Sequence, residues 1–184
     1  MNWLNPILIL LAALLAVFFE SAFAGYSNLL LAKVDLLPML MVYAALTHGL
    51  FTVVTLAFAG GLLFDSLSAN PFGASVLPLL VIGLFIYYNR GLLLRQNTNA
   101  QFFFGLFASA AAPLMTLLVI LALGESPLLG WGSIWQWIAM TVVGGMLTPM
   151  CFRFFDRVKR SLNYEPVAEQ NSFHPDREIK RGRY

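Results

Sequence analysis

One stretch organises this chain: Ala57-Phe-Ala-Gly-Gly-Leu-Leu-Phe-Asp-Ser-Leu-Ser-Ala-Asn-Pro-Phe-Gly73. It begins as an apolar helix in which Ala57, Gly61 and Asp65 recur every four residues and therefore share one helical face. Small residues on such a face let a neighbouring helix approach the backbone closely beside the acid. The Asn-Pro pair at 70–71 indicates a turn, after which Gly73 leads into a second apolar run.

The composition is that of a membrane protein. Of the 184 residues, 59% are hydrophobic and 11% are charged, whereas a soluble domain is about half apolar and about a quarter charged. A carboxylate inside such a chain is costly, so Asp65 counts by default as a functional candidate. We predict an all-α integral membrane protein with a transmembrane helical domain over residues 1–155. Residues 156–184, which are polar and of mixed charge, are predicted to form a short, flexible cytoplasmic tail.

The sequence carries no pattern that is typical of catalysis or metal binding. Cys151 is the single cysteine, which excludes an internal disulfide and a cysteine-based metal site. His48 and His174 are far apart in the sequence, so we expect no zinc site and no cofactor. Without a paired acid and base or a metal site, a membrane enzyme is the least favoured class.

About six transmembrane helices are predicted, because a span needs about 20 apolar residues. They cover residues 6–24, 36–46, 50–67, 73–88, 102–123 and 133–155. One fused helix over 36–67 would be ~48 Å long, well beyond the ~30 Å hydrocarbon core, so we expect a break at Gly49. A fused helix in a five-span protein and a partly re-entrant segment are the alternatives. Pro78, inside the fourth segment, is predicted to kink it.

The first segment has a second interpretation as a signal peptide. Ala22-Phe-Ala24 before Gly25 resembles a small-residue cleavage site. No Lys or Arg precedes the apolar run, however, and Glu20 interrupts the approach to that site. We therefore expect this segment to be retained as a membrane span.

The distribution of Lys and Arg predicts the orientation. Arg90 and Arg95 lie in one predicted loop and four basic residues lie at and after the end of the last span, over 153–160, so that side should be cytoplasmic. Both termini would then be cytoplasmic, and Lys33 alone would lie on the wrong side. Asp65 would lie near the outer face.

Several polar residues have two possible roles. In one interpretation Asp65 accepts hydrogen bonds from a partner helix or orders the turn after it. In the other it only caps the start of the fourth helix or pairs internally. Glu20 either snorkels to the interface, which we prefer, or faces the bundle. Asp35 is predicted to cap the second helix, and His48 to be a surface residue of an inter-helix turn. The structural or partner-contact candidates are Asp65, Gly61, Ala57, Pro71, Gly73, Asp35 and Glu20.

Three short motifs resemble those of the bacterial MreD family of rod shape-determining proteins. They are Asp35-Leu-Leu37, Gly60-Gly-Leu-Leu-Phe-Asp65 and Ser68-Ala-Asn-Pro-Phe-Gly73. In that family an Asp-Leu-Leu stretch opens the second helix, and an Asp-x-x-Ser-Gly-x-Pro-Leu-Gly pattern links the third helix to the fourth. The chain departs from the family at Ala69, where Gly is usual, and at Val34, where Pro is common.

The resemblance implies a non-enzymatic scaffold of the cell-elongation machinery in the bacterial inner membrane. Such a subunit would bind MreC, help position peptidoglycan synthesis and regulate cell shape. The further partners it implies are MreB, RodA and a class B penicillin-binding transpeptidase. Apart from the resemblance, we expect contact with membrane lipids, to whose anionic headgroups the basic run at 157–160 could hold the last helix, and no nucleic acid. The implied fold is that of the six-helix substrate-binding subunits of vitamin transporters.

The second hypothesis is a small-molecule binding subunit of a membrane transporter. Such a subunit needs a closed pocket with several converging polar side chains. Few polar side chains lie within the predicted spans, which favours a protein partner instead.

Overall fold

The computed structural model describes residues 4–22, 35–68, 70–92, 98–124 and 130–162. These residues form helices and no strand, so the all-α prediction is confirmed for them. The α-helices are α1 (Leu4–Ala22), α2 (Leu37–Thr47), α3 (Leu50–Leu67), α4 (Val76–Asn89), α5 (Thr98–Ala122) and α6 (Trp131–Leu162). A 3-10 turn over Arg90–Leu92 follows α4.

The shortest α-helix, α2, lies at the centre of the molecule. All of its residues from Leu37 to Leu46 are buried, and those from Met41 to Ala45 expose none of their surface. A helix that is apolar on every side is stable only inside a core. The other five α-helices all contact α2 and surround it.

The predicted break between the second and third helices is confirmed. His48 and Gly49 both have extended backbone, with ψ of 177° and 165°, and α3 begins directly after them. The 11 residues of α2 rise only ~16 Å, about half of the ~30 Å hydrocarbon core. This helix therefore cannot cross a membrane by itself.

Three of the described helices are long and apolar enough to cross a membrane. They are Leu50–Leu67, Thr98–Ala122 and Trp131–Ser161, which are α3, α5 and nearly all of α6. The segments Ile7–Ala22, Leu37–Thr47 and Val76–Asn89 are apolar but shorter. The fold is thus compatible with a helical membrane protein, and the count of six spans stays a prediction.

The end of α6 and the effect of Pro78 on α4 differ from the predictions. Helix α6 continues to Leu162, beyond the predicted end at 155, because its charged last turns are good helix formers and basic side chains are favourable near a helix C-terminus. Pro78 lies in the first turn of α4, where its missing N–H costs no hydrogen bond, so the predicted kink is wrong. The rest of the predicted tail, together with Lys33, Arg95 and Ala69, lies outside the described residues.

Helices α5 and α6 pack closely through glycines. A Cβ atom on Gly105 would lie 2.5 Å from the Cβ of Thr148, and one on Gly144 would lie 2.6 Å from the Cβ of Ser109. Real Cβ atoms do not approach that closely, so each glycine accommodates a side chain of the other helix.

Basic side chains gather at one end of the bundle. Arg90 Nη1 donates to the carbonyl of His48 at 2.9 Å, and the Nζ of Lys159 lies 5.2 Å from the centre of the Tyr43 ring. The ends of α2, α4 and α6 therefore meet there. Arg90 and the basic end of α6 are on the same side of the bundle, as the orientation argument requires.

Candidate functional site

Asp65 joins the end of α3 to the start of α4. The residue is 3% exposed, and its Oδ2 accepts the backbone N–H of Ser75 at 3.0 Å. Ser75 directly precedes the first residue of α4. The acid thus orders the connecting turn and holds the start of the fourth helix at once. Its other oxygen, Oδ1, is buried and has no hydrogen-bond partner in the part of the chain that the structure describes.

Gly61 allows α4 to touch the backbone of α3. A Cβ on Gly61 would lie 2.8 Å from the Cα of Val76 and 2.9 Å from its backbone nitrogen. Ala57, one turn earlier on the same face, is completely buried. The close approach that the spacing predicted is therefore present, and it comes from a helix of this same chain.

The turn between α3 and α4 depends on Pro71 and Gly73. The N–H of Ala74 donates to the Pro71 carbonyl at 3.0 Å, and that of Val76 to the Gly73 carbonyl at 3.2 Å. Gly73 has φ of +91°, a conformation that glycine adopts without steric cost. These bonds place the backbone N–H of Ser75 beside the carboxylate of Asp65.

Asp35 lies just before α2 and binds the backbone of that helix's first turn. Its Oδ1 accepts the N–H of Leu37 at 2.9 Å, which satisfies one of the unpaired donors of a helix N-terminus. Leu37 also packs on α3, since its Cδ2 would be 2.9 Å from a Cβ on Gly60. The Asp35-Leu-Leu segment therefore touches the glycine pair that precedes Asp65.

A cavity of about 260 Å³ lies beside this junction. Its walls come from the starts of α2 and α4, the end of α3, and neighbouring stretches of α5 and α6. Five polar side chains from these elements line it: Asp35, Asn70, Ser75, Thr116 and Gln136. Apolar side chains, among them Phe64, Pro78 and Met140, form the rest of the wall.

The lengths of the helices explain the cavity. Its wall on α5 runs from Ala112 to Ile120, which is ~12 Å of that helix. Helices α2 and α4 contribute only residues near their N-termini, Leu37 and Leu79 among them. The two short central helices therefore contribute only their first turns to the cavity wall, while α5 lines it over a longer stretch.

The cavity wall is acidic and carries no described cation. Asp35 is the one charged side chain among the described lining residues, and no Lys, Arg or His is among them. Arg90 and Lys159 lie at the opposite end of the bundle, beyond His48 and Tyr43. An anion placed in the cavity would find no described positive side chain in its wall.

Glu20 faces the bundle, so the prediction that it snorkels is wrong. Both of its carboxylate oxygens are buried, and it lines a small cavity with Phe64 and Ser68 at the end of α3. The buried residues of α1 (Ile9, Ala13 and Val17) recur every four positions, and Glu20 follows three residues later on the same face. The helical period therefore turns it inward.

His48 is half-buried rather than a free surface residue. Its ring lies 6.0 Å from that of Tyr43, its Nδ1 is hydrogen-bonded to the hydroxyl of Thr47, and Arg90 binds its carbonyl. These contacts fasten the turn between α2 and α3 to the end of α4.

Reasoning from the sequence missed the far wall of the cavity. Thr116 and Gln136 are polar residues within predicted spans, and that position alone marks a residue as a functional candidate. Trp137 also has a polar group within a predicted span: its Nε1 donates to the carbonyl of Ala110 at 3.0 Å, and this bond joins α6 to α5. Asn70 and Ser75 belong to the turn that was identified, but their cavity depends on the packing of other helices.

Comparisons with protein-family models, with curated proteins and with solved structures gave no match to this chain. The resemblance to MreD therefore rests on the three sequence motifs. Among the described residues, no group of three His, Cys, Asp or Glu side chains is placed to hold a metal ion.

Proposed function

We propose that this chain is a non-enzymatic scaffold subunit of the bacterial cell-elongation machinery in the inner membrane. It would bind MreC, help position peptidoglycan synthesis and so regulate cell shape. One observation carries the proposal: the first motif that resembles MreD packs against the second, and the residues directly after the third pack against the second as well. Leu37 packs on Gly60, Val76 packs on Gly61, and Asp65 binds Ser75.

A scaffold needs a fixed shape, and the architecture supports one. The buried helix α2 contacts all five other α-helices and so fixes their relative positions. A surface that is already ordered loses less conformational entropy when a partner helix binds, so binding costs less free energy. The same chain would present apolar helix faces to lipid and to the single membrane span of MreC.

Depletion of the protein tests the biological part of the proposal. Rod-shaped cells should become round, and the native protein should co-purify with MreC from membranes. Unchanged cell shape after clean depletion would rule the proposal out.

Asp65→Ala tests the role of the junction. The substitution leaves the buried N–H of Ser75 without its acceptor, which costs about 1–3 kcal/mol. We expect less folded protein and less co-purified MreC, with no catalytic step affected. Ser66→Ala is the matched control, because Ser66 is the exposed neighbour and its hydroxyl bonds only within α3. Full assembly and normal cell shape with Asp65→Ala would show that the junction is not central to assembly.

A small-molecule binding subunit of a transporter is the second candidate function. The cavity favours it, because five polar side chains from separate elements converge there although few lie within any one helix. A ligand that binds the folded protein would raise its melting temperature by mass action.

A further inference from the structure

We propose that a lateral cleft between α5 and α6 binds one acyl chain of a membrane phospholipid. The cleft has a volume of about 550 Å³ and lies next to the cavity described above, with which it shares two residues of α5. Its apolar walls are formed by Pro113, Leu114, Leu117, Trp131, Ile134 and Trp137. The inference goes beyond both proposed functions and rests only on the long apolar helices of the chain.

The lateral cleft begins where α5 and α6 stop packing closely. On one side of this point, Gly105 and Gly144 each accommodate a side chain of the other helix. Pro113 lies inside α5, where a proline removes one backbone hydrogen bond and crowds the carbonyls of the preceding turn. The carbonyl of Ala110, in that turn, accepts the indole N–H of Trp137 at 3.0 Å. This bond joins the two helices at the inner end of the cleft, and beyond it they leave space between them.

The depth of the cleft matches one leaflet of a bilayer. Both α5 and α6 are long and apolar enough to cross a membrane. From Pro113 to its end at Ala122, α5 rises ~14 Å, about half of the ~30 Å hydrocarbon core. Trp131, the first residue of α6, lines the cleft and is 87% exposed, and tryptophan is enriched at the membrane–water boundary. The cleft therefore follows the path of an acyl chain from the boundary towards the middle of the bilayer.

The rim of the cleft is apolar, so the cleft opens towards lipid. Leu114 and Ile134 line it and are 45% and 50% exposed. Leu118 and Trp135, which are also large, apolar and exposed, lie beside them on the outer faces of the two helices. A cleft that opened to water would have a polar rim, because exposed apolar surface in water is unfavourable.

Two polar groups of the lining are already bonded within the protein. The hydroxyl oxygen of Ser133 accepts the N–H of Gly130 at 3.3 Å, and the indole N–H of Trp137 binds Ala110. The lining therefore offers a ligand mainly apolar surface, which suits hydrocarbon better than a polar headgroup.

The size of the cleft favours an acyl chain over the helix of a partner protein. An α-helix with its side chains is ~10 Å across, so a ~10 Å length of it occupies roughly 800 Å³. That is more than the volume of the cleft, about 550 Å³. A single acyl chain is much thinner than a helix and can lie between α5 and α6.

The test uses tryptophan fluorescence, which bromine atoms on an acyl chain quench on contact. Trp137 is half-buried and lines the cleft, whereas Trp135 is 62% exposed on the outer face of α6. Two full-length variants each keep one of these tryptophans and carry Phe at the other three tryptophan positions. Each variant is reconstituted into phosphatidylcholine vesicles that contain an increasing fraction of brominated chains.

Occupation of the cleft by a single chain predicts two different curves. Trp137 should lose fluorescence in direct proportion to the brominated fraction, because only one chain at a time can touch it. Trp135 should lose fluorescence more steeply at low fractions, because several chains can touch it at once. A Trp137 curve as steep as that of Trp135, or no quenching of Trp137, would overturn the proposal.

Filling the cleft locates the bound chain. In the variant that keeps Trp137, Leu114→Phe together with Leu117→Phe should remove most of the quenching. Leu118→Phe together with Leu121→Phe is the matched control, because both leucines lie on the exposed face of α5. The control should leave the Trp137 curve unchanged. Unchanged quenching in the filled variant would place the chain elsewhere and overturn the assignment, and if that variant does not fold, the two curves above still decide.

The lipid site and the two proposed functions fail in different experiments. The fluorescence measurements involve neither MreC nor cell shape nor transport. Unchanged cell shape after depletion would rule out the scaffold and leave the lipid site intact, whereas an unquenched Trp137 would rule out the lipid site alone.

Discussion

Gly73 shows how a single residue determines the junction. Its φ of +91° lies in the left-handed region, while a Cβ placed on it would meet no other atom within 4 Å. The whole cost of a side chain at this position is therefore a backbone cost. Two backbone hydrogen bonds hold the chain in this conformation: the N–H of Ala74 donates to the carbonyl of Pro71, and the N–H of Val76 donates to the carbonyl of Gly73 itself.

Gly73→Ala should lower the free energy of unfolding by about 1–2 kcal/mol, the cost of a left-handed conformation for a residue with a Cβ. Thermal or denaturant unfolding in detergent measures it. Gly49→Ala is the control, because Gly49 also has free space around its Cβ position but has φ of −78°. Equal effects of the two substitutions would show that the conformation of Gly73 contributes nothing.

Single residues were predictable where their chemistry is local. Asp35 accepts an N–H two residues away, and a helix cap of that kind can be recognised from the order of residues alone. The bond from Ser75 to Asp65 spans ten residues and needs the turn to fold back, so the sequence left both roles of that acid open. The prediction for Glu20 was wrong because it did not take into account that Glu20 lies on the same face of α1 as the buried Val17.

At the scale of elements, the corner between α3 and α4 is the most restricted contact. The backbone of Val76 fills the space where Gly61 would carry a Cβ. A flexible side chain could turn away from an added methyl group, but the first residue of α4 cannot move without moving its helix.

Gly61→Ala should therefore lower the free energy of unfolding by about 1–3 kcal/mol through overpacking. Gly132→Ala is the matched control: this glycine is also helical, but its Cβ would meet no atom within 4 Å. There the substitution should be neutral or should stabilise the helix by up to ~1 kcal/mol. Unfolding in detergent measures both, and a loss of stability in Gly132→Ala similar to that in Gly61→Ala would contradict the explanation.

Helix boundaries were predictable where glycine or polar turn residues punctuate the chain. Helix α3 begins at Leu50 and ends at Leu67, as predicted from Gly49 and the turn residues after Asp65. The end of α6 was missed because basic residues were taken as the start of a flexible tail, although they extend a helix readily.

At the scale of the whole molecule, the central position of α2 could not be predicted from the sequence. Apolar periodicity indicates which face of a helix is buried but not which helices cover it. The one available signal was that residues 37–46 are apolar on all sides, which favours a core helix over a lipid-facing span. The cavity depends on the same fact, since it lies above the start of this short helix.

Among the described residues, the two ends of the bundle differ in charge, and this difference predicts how the molecule lies in a membrane. Arg90 and Lys159 are at one end, while Glu20, Asp35 and Asp65 are close to the other. An excess of Lys and Arg marks the cytoplasmic side of a membrane protein. The cavity should then open towards the outer face.

Single cysteines at the two ends of α5 test this orientation. The 25 residues of α5 rise ~38 Å, more than the ~30 Å hydrocarbon core, so both ends should reach water. Cys151 is the only native cysteine, and Cys151→Ser supplies a background without label. In intact spheroplasts a membrane-impermeant maleimide should label Leu123→Cys, near the cavity, but should label Thr98→Cys only after permeabilisation. The reverse result would place the basic end outside, and labelling of both positions from one side would show that α5 does not cross the membrane.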